Sequence, residues 1–225
     1  MIKFRQIVIV LIVLVSCNNL NAQNYLEITD NDSTETNEER LYLITEFMSG
    51  INFDTCADIG SGNLEIILKI VNTFYDKTFV LEDIDSSLCN RANMYRQIEN
   101  HNLRQVDTNN LSIHIGNTIS TQLPDHQFDL VIMSSLIHEI NVIDEFFADI
   151  RRILKPSGTI IISDAYYEYP PGLHNGCTNR FLTNQEMENI IKHQNLLVLK
   201  DWRRIGITAK NNGPYTSRII QCSFN

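Results

Sequence analysis

The stretch Cys56-Ala57-Asp58-Ile59-Gly60-Ser61-Gly62-Asn63-Leu64 decides the fold. Phe53 to Asp58 has strand character, two glycines spaced by one residue come next, and an amphipathic helix pattern starts at once. Glycines let the backbone turn tightly and approach a ligand, and the next helix aims its N-terminus at that ligand. An α/β protein builds a crevice for a nucleotide-type cofactor in this way. An acid followed by Gly-x-Gly is common, so its meaning rests on its flanks.

Downstream, a helix over about Asn63–Tyr75 carries Leu64, Ile67, Leu68 and Val71 on one face. Thr78–Asp83 reads as a second strand ending in two acids, Glu82 and Asp83. Ser86 to about Asn100 reads as a more polar helix, and Leu111–Ile115 as a third strand. Phe128–Met133 is almost wholly apolar, as a strand covered on both faces should be. Asn141–Lys155 is the clearest helix: Asn141 is placed to cap it, and Ile143, Phe146, Phe147, Ile150, Ile153 and Leu154 form its apolar stripe. Arg151, Arg152 and Lys155 oppose its C-terminal dipole, and Pro156 and Gly158 end it. Thr159–Asp164 is a fifth strand. The next segment, Ala165–Arg180, is irregular and rich in Tyr, Pro and Gly, with Tyr166, Tyr167, Tyr169, His174 and Cys177 as candidate substrate contacts. Thr183–Glu186 is a capping box that opens another helix, and two strands close the chain at 196–205 and 216–224. Alternating strands and helices predict right-handed crossovers and a Rossmann-like, seven-stranded, mostly parallel sheet with helices on both faces. The closing strand pair adds one antiparallel member near the C-terminal edge.

Upstream, the chain has a different character. Lys3 and Arg5 precede an unbroken apolar run of nine residues, Ile7–Val15. As a helix such a run is roughly 14 Å long, about half of a bilayer core, so it reads as an export signal rather than a span. Leu14-Val15-Ser16-Cys17 resembles a bacterial lipoprotein box, which implies lipidation at Cys17, attachment to an envelope membrane and an exported protein. A rival cut lies after Ala22 and would give simple secretion. Residues 1–22 are thus read as signal or anchor, 23–35 as a polar, acidic tether and 36–225 as a single domain. That domain opens with a capping box at Thr36-Asn37-Glu38-Glu39, and Leu41, Ile44, Phe47 and Met48 continue it as a helix that Gly50 stops. Against 27 acidic side chains there are 18 basic ones, a formal charge of −9, which argues against a nucleic-acid partner held through phosphates. Cys56 and Cys222 fall in strands and read as buried apolar residues, and no cysteine or histidine cluster suggests a metal site.

Four segments together resemble a class I S-adenosylmethionine-dependent methyltransferase of the broad small-molecule type, over about Leu41–Asn225. They are Asp58-Ile59-Gly60-Ser61-Gly62; Asp83-Ile84-Asp85; Phe128-Asp129-Leu130-Val131 through Leu136-Ile137-His138-Glu139-Ile140; and Arg151-Arg152-Ile153-Leu154-Lys155-Pro156-Ser157-Gly158. The resemblance implies S-adenosylmethionine as methyl donor and a small-molecule acceptor. It places Gly60, Ser61 and Gly62 under the methionine and ribose, with Asp58 ordering that loop and holding the ammonium end. Asp83 would accept from the ribose hydroxyls, with Glu82 as the adjacent alternative. Asn117 and Thr118 would face the adenine, with the Asn117 carbonyl accepting from its amino group. Ser134 would lie near the methyl-bearing end, and His138 is the candidate general base. Where the family often has a third glycine, this chain has Leu64. Two other readings share the Gly-x-Gly signal: a catalytically silent cofactor-binding lipoprotein, and a nicotinamide-dependent oxidoreductase, whose third glycine would fall at Glu65.

Overall fold

The computed structural model describes residues 28–29, 37–167, 179–208 and 213–225. The expected signal segment with Cys17, most of the 23–35 stretch, and Tyr169, His174 and Cys177 lie outside them. Eight strands form one sheet: β1 (Ile28–Thr29), β2 (Thr55–Ile59), β3 (Thr78–Asp83), β4 (Leu111–Ile115), β5 (Phe128–Ser134), β6 (Leu154–Tyr167), β7 (Leu196–Thr208) and β8 (Gly213–Phe224). Their order is β1-β7-β8-β6-β5-β2-β3-β4. All neighbours run parallel except β8, which is antiparallel to both β6 and β7. The seven expected strands are present, with the antiparallel member one place in from β7. The eighth, β1, is a two-residue addition within the stretch read as a tether, where Ile28 lies opposite Arg204.

The period-two alternation of the strands divides the core in two. Helices α1 (Asn37–Ser49), α2 (Glu65–Thr73) and α3 (Arg91–Asn100) bury Ile44, Met48, Leu68, Val71 and Met94 against Cys56, Leu81, Leu130, Ile132 and Ile161. On the other face α4 (Ile143–Ile153) and α5 (Asn184–His193) bury Phe147, Ile150, Met187 and Ile191 against Ala57, Val131, Ile160 and Ile162. Phe147 and Ile150 are fully buried, each contributing roughly 1.5–3 kcal/mol of hydrophobic stabilisation. Strand β5 is apolar from Leu130 to Met133 because it supplies both cores. Among the described residues no helix is long and apolar enough to cross a membrane.

Several boundaries depart from the sequence reading for local reasons. Helix α3 begins at Arg91 rather than Ser86, because Asp85 gathers the preceding residues into a turn: its carboxylate accepts from the Ser87 amide and its carbonyl from Leu88 and Cys89. Asn90 then caps α3 by accepting from the Asn93 amide. Asn141 does not cap α4; its Oδ1 accepts from Asn179 instead, and α4 starts without a side-chain cap. The Lys155–Gly158 turn is absorbed as an irregularity in β6, where Leu154 lies opposite Phe128 and Thr159 opposite Leu130. Strand β6 also runs on to Tyr167, so Tyr166 is not in an irregular substrate segment. It faces Thr216 of β8 and is fully buried beside Met187. The Thr183 capping box is formed as expected.

Candidate active site

The parallel strands end along one side of the sheet, and the residues singled out from the sequence gather there. Ile59 lies opposite Glu82 and Met133, Asp83 opposite Ile115, and Ser134 opposite Ser163. The chain runs outward from β2 to β3 and β4, then returns to place β5 on the other side. The crevice between β2 and β5 is therefore a topological switch point.

The loop after β2 is fastened to the end of β3. Gly60 and Ser61 both donate their amides to the Glu82 carbonyl at 2.9 Å, and the Gly62 amide donates to Asp83 Oδ2 at 2.6 Å. The Ser61 hydroxyl closes the turn on the Asp58 carbonyl at 3.0 Å. Gly60 and Gly62 have φ of +75° and +52°, values that favour glycine. A Cβ at Gly62 would meet nothing within 4 Å, so the backbone there faces open space. A Cβ at Gly60 would stand 2.7 Å from Leu136 Cδ1. Leu64, at the expected third glycine, keeps the left-handed conformation at φ 67° with a fully buried side chain. Left-handed backbone costs an L-residue about 1–2 kcal/mol, and burying a leucine offsets that by roughly the same amount or more. The departure from the pattern changes the residue and leaves the turn intact.

Three carboxylates crowd this end of the sheet. Asp83 also accepts the Asp85 amide on Oδ1 at 2.8 Å, so each oxygen carries one amide and retains acceptor capacity. Asp58 is 5% exposed; burial, with the Asp83 charge, raises its pKa to about 7 against the opposing pull of a Ser61 hydrogen bond. Glu82 is 3% exposed, and burial followed by the Asp83 and Asp58 charges raises it to about 8. Glu82 points away from Asp83, into a recess that exists because residue 116 has no side chain: a Cβ on Gly116 would lie 1.9 Å from Glu82 Oε1. Gly116→Ala should therefore expel or tilt Glu82 and destabilise the protein by about 1–3 kcal/mol. A urea midpoint equal to wild type would contradict this packing.

Beyond β4, the Asn117 carbonyl oxygen accepts the Ile119 and Ser120 amides at 2.9 Å and shapes an exposed turn that includes Thr118. That use of the oxygen competes with the adenine contact expected of it. Asp149 on α4 holds the same turn through Ser120 and Thr121. Ile84, Ile115 and Ile119, at the ends of β3 and β4 and in this turn, are large apolar side chains left 56%, 40% and 58% exposed.

Ser134 ends β5 half-buried. Ser135 comes next in a left-handed turn at φ 55°, with its amide on the Ser163 carbonyl at 2.7 Å. The short 3-10 helix Ile137–Glu139 then buries His138 to 5% exposure. His138 Nδ1 lies 2.9 and 3.1 Å from the two oxygens of Asp164, itself 2% exposed. Burial works to lower the His138 pKa, but the Asp164 hydrogen bond and charge, with Glu139, outweigh it and hold the imidazole above its ordinary value. Phe181 covers the ring, centroids 4.5 Å apart, and Tyr167 packs on Phe181 at 5.4 Å. The sequence pattern did not identify Asp164 as a partner of His138. Its signal was an acid ending an otherwise apolar strand. Nor did the pattern point to Arg40 on α1, whose Nη1 donates to Ser135 Oγ.

A family model described as "Methyltransferase domain" matches residues 57–162, from within β2 to partway along β6. No curated protein sequence matches the chain. Among solved structures, the chain is similar to YcgJ of Bacillus subtilis at 12% identity and a TM-score of 0.59, covering 84% of this chain and 99% of that one. It is similar to an O-methyltransferase from a Brevibacillus brevis trans-AT polyketide synthase, solved with S-adenosyl-L-homocysteine, at 12% identity and 0.61, with 83% and 73% covered. It is also similar to geranyl diphosphate C-methyltransferase of Streptomyces coelicolor A3(2), solved with S-adenosyl-L-homocysteine, Mg2+ and geranyl diphosphate. There the identity is 11% and the TM-score 0.62, with 82% and 80% covered. Residues 57–162 therefore match a methyltransferase-domain model, and the chain shares its fold with structures of methyltransferases solved with S-adenosyl-L-homocysteine.

Proposed function

We propose that the protein is an S-adenosylmethionine-dependent methyltransferase whose acceptor is a small molecule that gives up a proton to His138. The observation that carries this reading is the glycine loop fastened to Asp83 at the switch point between β2 and β5. The residues present fit the cofactor. Gly62 leaves its backbone open to a ligand. Asp83 keeps acceptor capacity for two vicinal ribose hydroxyls. Asp58 would hold the ammonium group, and the exposed Ile84, Ile115 and Ile119 would offer apolar contact to a purine.

When bound, S-adenosylmethionine supplies an electrophilic methyl group. The chain's own contribution is alignment of the acceptor and management of its proton. His138 Nδ1 is committed to Asp164, so Nε2, 3.6 Å from Glu139 Oε1, is the nitrogen that would take the proton. Asp164 then stabilises the imidazolium as it forms, and fixes the ring orientation meanwhile. Ser134 borders the same end of the crevice. Structures of similar fold include an O-methyltransferase and a C-methyltransferase, so the fold leaves the acceptor atom open. The His138–Asp164 pair favours a hydroxyl that needs deprotonation.

The test is calorimetric titration of the full chain with S-adenosylhomocysteine and S-adenosylmethionine, followed by a radiolabelled-methyl assay over hydroxyl-bearing acceptors. Binding is expected for both ligands, and absence of heat at millimolar concentration would remove the proposal. His138→Asn should bind S-adenosylhomocysteine as wild type does while lowering methyl transfer by about 10²–10⁴-fold. Unchanged turnover would exclude His138 as the base.

A further inference from the structure

The first turn of α1 reaches the rest of the chain through two adjacent charged residues. Glu39 forms an ion pair with Arg204 of β7, the residue whose backbone lies opposite Ile28. Arg40 reaches Ser135, 95 residues away in sequence. Ser135 is a non-glycine residue at φ 55°, a left-handed conformation that an L-residue keeps only where other contacts offset its cost. Its amide is held by Ser163 and its hydroxyl by Arg40.

The residues immediately after Ser135 belong to the proposed active site. Leu136 packs over Gly60 and walls the cofactor loop. His138 lies three residues on from Ser135, against Asp164. The backbone direction at Ser135 therefore sets both.

We propose that Arg40 is a positioning residue: docked α1 holds Ser135 in its left-handed turn through Arg40, and so places Leu136 on the glycine loop and His138 on Asp164. This inference rests on the proposed methyltransferase function. Arg40 also lies within electrostatic reach of the imidazole, where its charge works against protonation while Asp164 from β6 and the adjacent Glu139 work for it. Loss of Arg40 thus has two separable signatures, a looser turn and a more basic His138.

The experiment tracks the His138 imidazole by NMR titration in the full chain, alongside calorimetry with S-adenosylhomocysteine. Arg40→Gln should raise the His138 pKa, since the Arg40 charge opposes protonation, and weaken S-adenosylhomocysteine about 5- to 10-fold. Arg40→Lys, which keeps the charge, should keep the wild-type titration. Adding Ser135→Gly to Arg40→Gln should restore ligand affinity, since glycine holds the left-handed turn without help, and should leave the imidazole at its raised pKa. Wild-type titration and affinity in Arg40→Gln would overturn the proposal. So would an affinity loss that Ser135→Gly does not restore, because α1 would then matter only to general stability. A wild-type chain that fails to bind S-adenosylhomocysteine would overturn the proposed function instead, and the NMR arm would still judge Arg40.

Discussion

Asp83→Ala should raise the dissociation constant for S-adenosylhomocysteine roughly 10²- to 10⁴-fold. Two charge-assisted hydrogen bonds to the ribose hydroxyls, at about 1.5–3 kcal/mol each, account for that range. The same carboxylate anchors the Gly62 amide at 2.6 Å and the Asp85 amide at 2.8 Å, so its loss also frees the loop. Asp83→Asn separates the two contributions: it keeps one oxygen acceptor, removes the charge, and should fall between wild type and alanine. Gly60→Val attacks the same loop sterically. It places a β-branched residue at φ +75° with its Cβ 2.7 Å from Leu136 Cδ1. Calorimetry should show no binding for it, with circular dichroism showing the fold retained. Wild-type affinity in Asp83→Ala would move the ribose contact elsewhere, and Glu82 could not replace it from the opposite face.

The ligand-free protein should be more stable near pH 5 than near pH 8. Asp58 rises from 3.8 unfolded to about 7 folded, and Glu82 from 4.5 to about 8. The native state therefore binds more protons than the unfolded state across that window, and stability falls as pH rises through it. Below both unfolded values the two groups contribute nothing; above both folded values their cost is complete. At about 1.4 kcal/mol per unit the two together amount to several kcal/mol. His138 acts in the same direction, since its raised folded pKa gives stability that is present at low pH and lost as pH rises through that pKa. Asp129 and Glu186, lowered to about 2, set the acid side: burial resists this, but Lys155 bonds Asp129, while Arg180 holds Glu186. Their contribution is present above the unfolded carboxylate range and lost as pH falls toward 2. Urea midpoints across pH 3–9 should give an optimum near pH 5, and a flat profile from 5 to 8 would contradict the buried-acid assignment. A cation beside Asp58 favours its ionised form, so cofactor binding should release a proton and tighten as pH rises to about 7. Calorimetry in buffers of different ionisation enthalpy reads that proton directly.

The parts of the molecule written in local pattern were legible in the sequence. Strands β3 and β4 match their expected limits, because the first carries the apolar run Phe79–Leu81 and the second alternates through Leu111, Ile113 and Ile115, each between polar flanks. The Thr183 capping box is visible as a four-residue motif and forms as such. The loop from Asp58 to Gly62 and the acid Asp83 are likewise local. Contacts between distant segments were not legible. Asp164 meets His138 across 26 residues and Arg40 meets Ser135 across 95, and only the strand order brings them together. Short-range competition explains the remaining differences. Asp85 and Asn117 use side-chain oxygens on their own backbone turns, which shortens α3 and occupies the oxygen expected to face adenine. Tyr166 reads from the sequence as part of an irregular segment because Tyr, Pro and Gly are dense after it, whereas pairing with β8 carries the strand past it.

Leu64 has a consequence for the rate of ligand capture. A glycine in its place would leave the loop's far end free to sample many shapes, each to be narrowed when ligand arrives. The leucine instead roots that end in the interior between sheet and helices, so a ligand would meet a loop already held in one shape. Preorganisation of this kind lowers the entropic penalty of association and favours single-step, fast capture. In stopped-flow measurements, Leu64→Gly should show its effect first as slower association, with an added slow phase as the loop orders around its guest.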